Sequence, residues 1–190
     1  MSSSKLPTVA VKNANLLWGA VMIAAGLILG GAVTGCEKNE QPKTAVYKPA
    51  SQYFPIKVGD RVVQMQLAVL PLEMQQGLMG RRDLGPDQGM IFVYPRPERM
   101  NFYMRNTPLP LDIGYFSPDG RLREVYQMYP FDEKTVSSRS REVQFALEMN
   151  QGWYKANEVK AGAQLDLKAL AAALEARGFR SEAFNLGGAK

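Results

Sequence analysis

The pattern of apolar and polar positions divides the chain into stretches of different period. Leu16 to Ala32 is a nearly unbroken apolar run. Residues 37–54 mix Lys, Glu, Gln, Pro and Tyr with no apolar period, which reads as a flexible tether. Val63, Met65, Leu67 and Val69 then alternate with polar or small residues, as a half-buried strand does. Pro71 opens a short helix on which Leu72, Gln76 and Met79 share a face, and Gly80 can end it. Gly89 introduces the apolar strand Met90–Tyr94, and Pro95 and Pro97 interrupt the chain. Met100, Phe102 and Met104 alternate with Asn101, Tyr103 and Arg105, predicting another strand. Asn106-Thr107-Pro108 reads as a turn before the strand Asp112–Phe116. Ser117-Pro118-Asp119-Gly120 turns the chain into the returning strand Leu122–Tyr129. Residues 130–142 are polar and predict a long loop. Val143, Phe145, Leu147 and Met149 alternate with Gln144, Ala146, Glu148 and Asn150, the cleanest strand in the chain. A turn begins at Gly152-Trp153-Tyr154, and Ala163–Leu167 closes the domain. Lys168–Arg177 is an alanine-rich helix with Leu170 and Leu174 on one face, and residues 179–190 read as frayed. Short strands, turn residues and one early helix predict a mainly β fold, an antiparallel sandwich or barrel with a C-terminal helix.

The start of the chain reads as an address. Residues 1–36 contain no Asp or Glu, and Lys5 and Lys12 precede the apolar run. A basic start, an apolar core and then small residues is the order of a secretory signal. Val33-Thr34-Gly35-Cys36 resembles the lipobox of bacterial lipoproteins. The resemblance implies a lipoprotein signal peptide over 1–35, cleavage before Cys36, and diacylglycerol on its sulfur. Acylation would make the membrane the chain's first partner, through a lipid anchor facing the periplasm. The run is also long enough to be kept as a spanning anchor. Residue 37 is Glu rather than the Asp that resembles the inner-membrane retention signal of enteric bacteria, which favours the outer membrane.

Composition narrows the chemistry. The 190 residues include no histidine and one cysteine, with a formal net charge of +5. Ser-His-Asp or Cys-His catalysis, histidine metal ligands and internal disulfides are excluded. Residues 36–190 carry 21 basic and 18 acidic side chains, a mild excess with no clustered basic stripe, so no nucleic-acid partner is expected. No glycine-rich phosphate loop follows a strand, and no cofactor or metal is expected.

Four strings now stand together: QGLMGR (Gln76–Arg81), GMIFVY (Gly89–Tyr94), FYMRNTPLPLDIGY (Phe102–Tyr115) and ALEMNQGW (Ala146–Trp153). They resemble, in order and spacing, domain of unknown function family 192 (DUF192) of bacteria and archaea, from about Val58 to Leu167. The resemblance implies a mainly β, sandwich or jelly-roll-like fold behind an export signal. It implies no activity. The expected organisation is a signal peptide (1–35), a tether (36–55), the family domain (56–167) and a C-terminal helix and tail (168–190).

Four sets of residues are candidates for chemistry. Arg105, Asn106, Thr107 and Asp112 match the family's basic-Asn-Thr and Pro-Leu-Asp stretch. Together they could form a polar binding pocket, with Arg105 as an anion or carboxylate binder. The competing reading, preferred for Asn106 and Thr107, is a turn whose side chains bond their own backbone. Asp112, Glu124 and Glu148 lie on predicted strands, and two such carboxylates could hydrolyse a glycoside. Charge on an outward strand face is the preferred account of this set. Trp153 could stack on a ligand ring, although burial is the commoner fate of tryptophan. Eight methionines follow Cys36 (Met65, Met74, Met79, Met90, Met100, Met104, Met128, Met149), and their strand phase suits core packing better than Cu(I) binding. The expected function is a non-catalytic binding or interaction module of the cell envelope, recognising a glycan, small molecule or protein. A carboxylate-dependent hydrolase of envelope polymers is the alternative, and a structural envelope factor the third.

Overall fold

Phe54, Ile56 and Val58 alternate with polar residues in β1 (Tyr53–Val58), as Val63, Met65 and Leu67 do in β2 (Arg61–Ala68). The two form an antiparallel hairpin closed by Gly59-Asp60. A two-residue hairpin loop needs a positive φ at its first position, and Gly59 supplies 57°. The computed structural model describes residues 46–187. Cys36, the signal segment and the first half of the tether lie outside them.

The chain next crosses over through α1 (Pro71–Gln76) to β3 (Gln88–Glu98), which pairs parallel with β2. A parallel neighbour requires such a crossover. Glu73 fastens its start, accepting from the Val69 and Leu70 amides at 3.0 Å each. β3 does not stop at Pro95 but runs through both prolines to Glu98. Proline cannot donate to a ladder, so the register with the last long strand shifts between Val93 and Glu98.

Then come β4 (Asn101–Phe102), β5 (Leu111–Phe116), β6 (Leu122–Met128), β7 (Val136–Ser137) and β8 (Val143–Asn150). The main sheet has the order β1-β2-β3-β8-β5-β6, and β4 pairs with β7 in a second sheet. The mainly β expectation holds, with one parallel pair in a mixed sheet. The stretch 130–142 is not wholly loop, because β7 returns to pair with β4. Ser138 pins that return: its hydroxyl accepts from the Met100 amide and donates to the Ser140 carbonyl.

Both faces of the sheet are covered. On one face α2 (Trp153–Ala156) and α3 (Leu167–Ala176) bring Tyr154, Leu170 and Leu174 onto Ile56, Met65, Ile91, Phe145 and Leu147. On the other, Met100, Phe102 and Met104 from the β4 region cover Phe92, Ile113, Tyr115 and Ala146. β8 is central and buried on both sides. Glu148, expected from sequence as outward surface charge, is therefore buried at 5% exposure.

Two boundaries move. The segment expected to be the end of the tether belongs to the fold: β1 begins at Tyr53, and Tyr47 stacks on Phe179 at 4.2 Å. The expected frayed tail is ordered up to a 3-10 turn at Ser181–Phe184, with Phe179 and Phe184 buried. Between these segments sits Arg177, fully buried, donating to the carbonyls of Lys48 and Leu67 and to Glu73. Among the described residues no helix is long and apolar enough to cross a membrane.

Candidate functional site

The second face of the sheet is not filled completely. Between the α1 segment and β4 lies a cavity of about 220 Å³, walled by Met74, Gln76 and Met79 on one side and Phe102 and Tyr103 on the other. Phe92, Tyr94 and Glu148 line it from the sheet. Gly77 lets the chain come down onto the sheet here. Its φ is 45°, and a Cβ would stand 3.3 Å from the Phe92 ring. The two walls are tied together where the Gly80 amide donates to the Asn106 carbonyl at 2.8 Å.

Glu148 gives the cavity its chemistry. Its register partners Met90 and Ile113 both belong to the second core, so its side chain rises into that face. No group among the described residues hydrogen-bonds its carboxyl. Burial alone pushes that carboxyl up to about 8, so it is largely protonated at neutral pH. Tyr94 beside it is also raised, first by burial and then by the charges of Glu98 and Glu148.

An adjoining groove of about 370 Å³ shares Gln75, Gln76, Met79 and Tyr103 and continues past Leu72, Arg105 and Asn106. Leu72, on the helix face it shares with Gln76 and Met79, is 78% exposed at the groove's edge. Arg105 lies 5.2 Å over the Tyr103 ring and pairs with Glu133 at 2.7 Å, both side chains being more than half exposed. Asn106 takes a left-handed conformation, φ 53°, which asparagine tolerates better than most residues. The Thr107 hydroxyl donates to the Arg105 carbonyl at 3.2 Å, the local bond of a turn. Thr107 nevertheless also lines the cavity.

Of the residues singled out by sequence, Thr107 and Glu148 thus line the cavity, and Arg105 and Asn106 line the groove that adjoins it. The other candidates sit elsewhere. Asp112 pairs in register with Met149 and faces the helix-covered core. Its Oδ2 accepts from the Gly152 amide at 2.8 Å, while Oδ1 is buried with no partner. Burial raises this carboxyl and the Gly152 bond only partly offsets it. Trp153 is buried on the same side, its indole N–H donating to Asp87 at 2.9 Å, so it does not offer a ring to solvent. Glu124 holds the loop beyond β7, accepting from the Arg139 and Ser140 amides and from the Tyr126 hydroxyl. Burial pushes Glu124 up, but these bonds outweigh it and hold the carboxyl below its usual range.

The sheet therefore stands between Asp112 and Glu148, and the oxygens of Glu124 are committed to a loop. Glycoside hydrolysis needs two carboxyls across one cleft. Asp112 and Glu124 both line a groove beside β6, but the Glu124 oxygens are taken up by the loop amides and the Tyr126 hydroxyl, and Glu148 lies on the other face. The methionines divide likewise: Met65 and Met149 pack in one core, Met90, Met100, Met104 and Met128 in the other. Only Met74 and Met79 reach the cavity. Among the described residues no three acids or cysteines cluster as metal ligands would. Gln76, Tyr94, Asn101 and Tyr103 line the cavity without having been singled out by sequence. Their only prior signal was that Gln76, Tyr94 and Tyr103 lie inside the family-like strings.

Comparison with known proteins agrees with this architecture. A crystal structure of a protein of unknown function from Novosphingobium aromaticivorans superposes with a TM-score of 0.58 at 31% identity, covering 66% of this chain and 98% of the other. A protein from Sinorhizobium meliloti, described as a candidate transcription regulator, gives 0.57 at 30% identity, covering 64% and 95%. No curated protein matches. The family profile of DUF192, described as "Uncharacterized ACR", matches residues 54–167, nearly the whole sheet. The chain belongs to domain of unknown function family 192.

Proposed function

We propose that the protein is a non-catalytic binding module of the cell envelope, exported behind residues 1–35, anchored by lipid on Cys36, and taking a small ligand between α1 and β4. The observation that carries the binding reading is Glu148: a largely buried residue whose carboxyl has no hydrogen-bond partner among the described residues and opens onto the floor of a cavity. Burying a carboxyl costs several kcal/mol unless something compensates, and an incoming ligand is the natural compensation. Apolar walls with a few convergent polar groups are the usual make-up of a small-molecule site. Envelope location rests on the basic start, the apolar run and the lipobox-like Val33-Thr34-Gly35-Cys36.

The regulator description of the Sinorhizobium meliloti relative does not carry over. Helix α3 has ten residues, a single lysine, and its apolar face docked on the sheet, which is a poor surface for phosphate contacts.

Protein-observed amide-correlation NMR with a library of small envelope glycans and metabolites tests the binding reading. Binders should shift amides at Gln76, Tyr103 and Thr107, and Met79→Trp, which fills the cavity, should abolish the response. Binding that survives Met79→Trp, or that maps to Asp112, would overturn the assignment. Mass spectrometry of the membrane-extracted protein tests the anchor, and an unmodified Cys36 within an intact N-terminus would refute it.

A further inference from the structure

Resting on that reading of the cavity, we infer that the group it takes is the ammonium head of a small organic cation, with Glu148 as counterion and the surrounding aromatic rings as its cage. Glu148 is 5% exposed and has no hydrogen-bond partner among the described residues. A carboxylate in that position lacks only a positive charge. The protein supplies none: no lysine or arginine lines the cavity. Arg105, in the adjoining groove, is engaged with Glu133 at 2.7 Å. An anionic ligand would meet the Glu148 carboxyl without a compensating cation, so the site selects against it.

The walls point the same way. Phe92, Tyr94, Phe102 and Tyr103 bring four aromatic rings to one cavity. Phe92 and Phe102 meet edge to face, centroids 4.9 Å apart and planes at 80°. Cations over aromatic faces are attracted by the ring quadrupole, most strongly when desolvated, and cages of this kind recognise methylated ammonium groups. The cavity of about 220 Å³ suits a head group, and the groove shared through Gln76 and Tyr103 leaves room for a polar tail.

Uptake is coupled to a proton. The Glu148 carboxyl is held up by burial to about 8. At neutral pH it must ionise as the cation enters, its proton passing to solvent while carboxylate and ammonium pair. The titratable groups around it are acids: Tyr94 of β3 and Tyr115 of β5 directly, Glu98 and Glu124 through those tyrosines, and Tyr154 from the opposite face. Affinity should therefore rise with pH and level off above about 8, provided that the ligand keeps its own charge, as a quaternary ammonium does.

The test is isothermal titration of the full-length chain in a maltoside detergent with choline, tetramethylammonium and 3,3-dimethylbutan-1-ol, the uncharged isostere of choline. Choline should bind at least tenfold more tightly than the isostere and gain roughly tenfold or more between pH 6 and pH 8, as the ionised share of a carboxyl at about 8 rises. Glu148→Gln should reduce choline to the level of the isostere. Tyr103→Leu, at a half-exposed wall position, should weaken choline severalfold and leave the isostere unchanged, which keeps the test alive if the Glu148 variant does not fold. Equal affinity for the isostere, undiminished choline binding by Glu148→Gln, or no binding of either cation at millimolar concentration and pH 9 would each overturn the inference. Neutral compounds that map to the cavity while cations do not would remove the cation and leave the binding module standing.

Discussion

Arg177, in the turn that ends α3, donates to Glu73 in the first turn of α1 from a position with no solvent exposure. The same guanidinium holds the carbonyls of Lys48 and Leu67. One side chain thus joins the entering segment, the second strand, the helix that walls the cavity and the C-terminal helix. Burial pushes the Glu73 carboxyl up, but the Arg177 bond and the Leu70 and Val69 amides outweigh it and keep it below its usual range. Arg177→Ala takes the guanidinium from two carbonyls and leaves the Glu73 carboxylate with only the Val69 and Leu70 amides. Breaking a buried pair from one side costs about 3–5 kcal/mol, and Glu73 retains some water contact, so a loss near the lower figure is expected in urea denaturation. A loss under about 1 kcal/mol would mean that the guanidinium is not the clamp described.

The pH dependence of stability follows from Glu148. Its carboxyl is raised from 4.5 to about 8 on folding. The folded state therefore binds more protons than the unfolded state between those values, and stability falls as pH rises through that window. Asp112, also raised by burial, adds in the same direction. Every tenfold gain in proton affinity on folding corresponds to about 1.4 kcal/mol. Denaturation midpoints should decline from pH 5 to pH 8 and then level, and Glu148→Gln should flatten the decline and be the more stable protein at pH 9. A midpoint that rises across this window would contradict the burial of Glu148.

Glu124 acts with the opposite sign, because its bonds hold it below its usual range. Its contribution is present at neutral pH and is lost as pH falls through its folded value. Glu124→Gln should cost about 1 kcal/mol, given its partial exposure. It should also speed hydrogen exchange at the Arg139 and Ser140 amides that it now accepts from. Unchanged exchange there would show that the loop is held by Ser138 alone.

How much of the fold is legible in the sequence depends on whether the signal is local. Period-two alternation locates β2 and β8, the Ser117–Gly120 turn sets off β5 and β6, and Pro71 marks the start of α1, because strand faces, turns and helix starts are set by neighbouring residues. Alternation reports which residues share a face but not what covers it. It places Glu148 and Gln144 outward because Phe102, Met104 and Phe184, which lie over the two faces of the sheet, come from distant parts of the chain. The same blindness puts Phe179 and Phe184 in a frayed tail. At the site, Arg105, Asn106 and Thr107 stand out as a polar run inside an apolar pattern. Gln76 and Tyr103 do not, because their approach depends on the bond between Gly80 and Asn106.

Gly77 offers the most direct handle on the cavity itself. It sits at φ 45°, where a side chain is strained, and a Cβ would fall 3.3 Å from Phe92 Cζ. Gly77→Ala therefore combines a backbone penalty with a contact that the ring must yield to. The backbone part costs about 1 kcal/mol or somewhat more. The ring can move only toward the space now open above Glu148, so the cavity shrinks. The variant should remain folded, with a melting temperature lowered by a few degrees, and its response to cavity ligands should weaken. The far groove beside Asp112, Tyr154 and Lys155 lies on the other side of the sheet, and amide shifts there should not change. A loss of stability with full ligand response would show that ligands do not enter between α1 and Phe92.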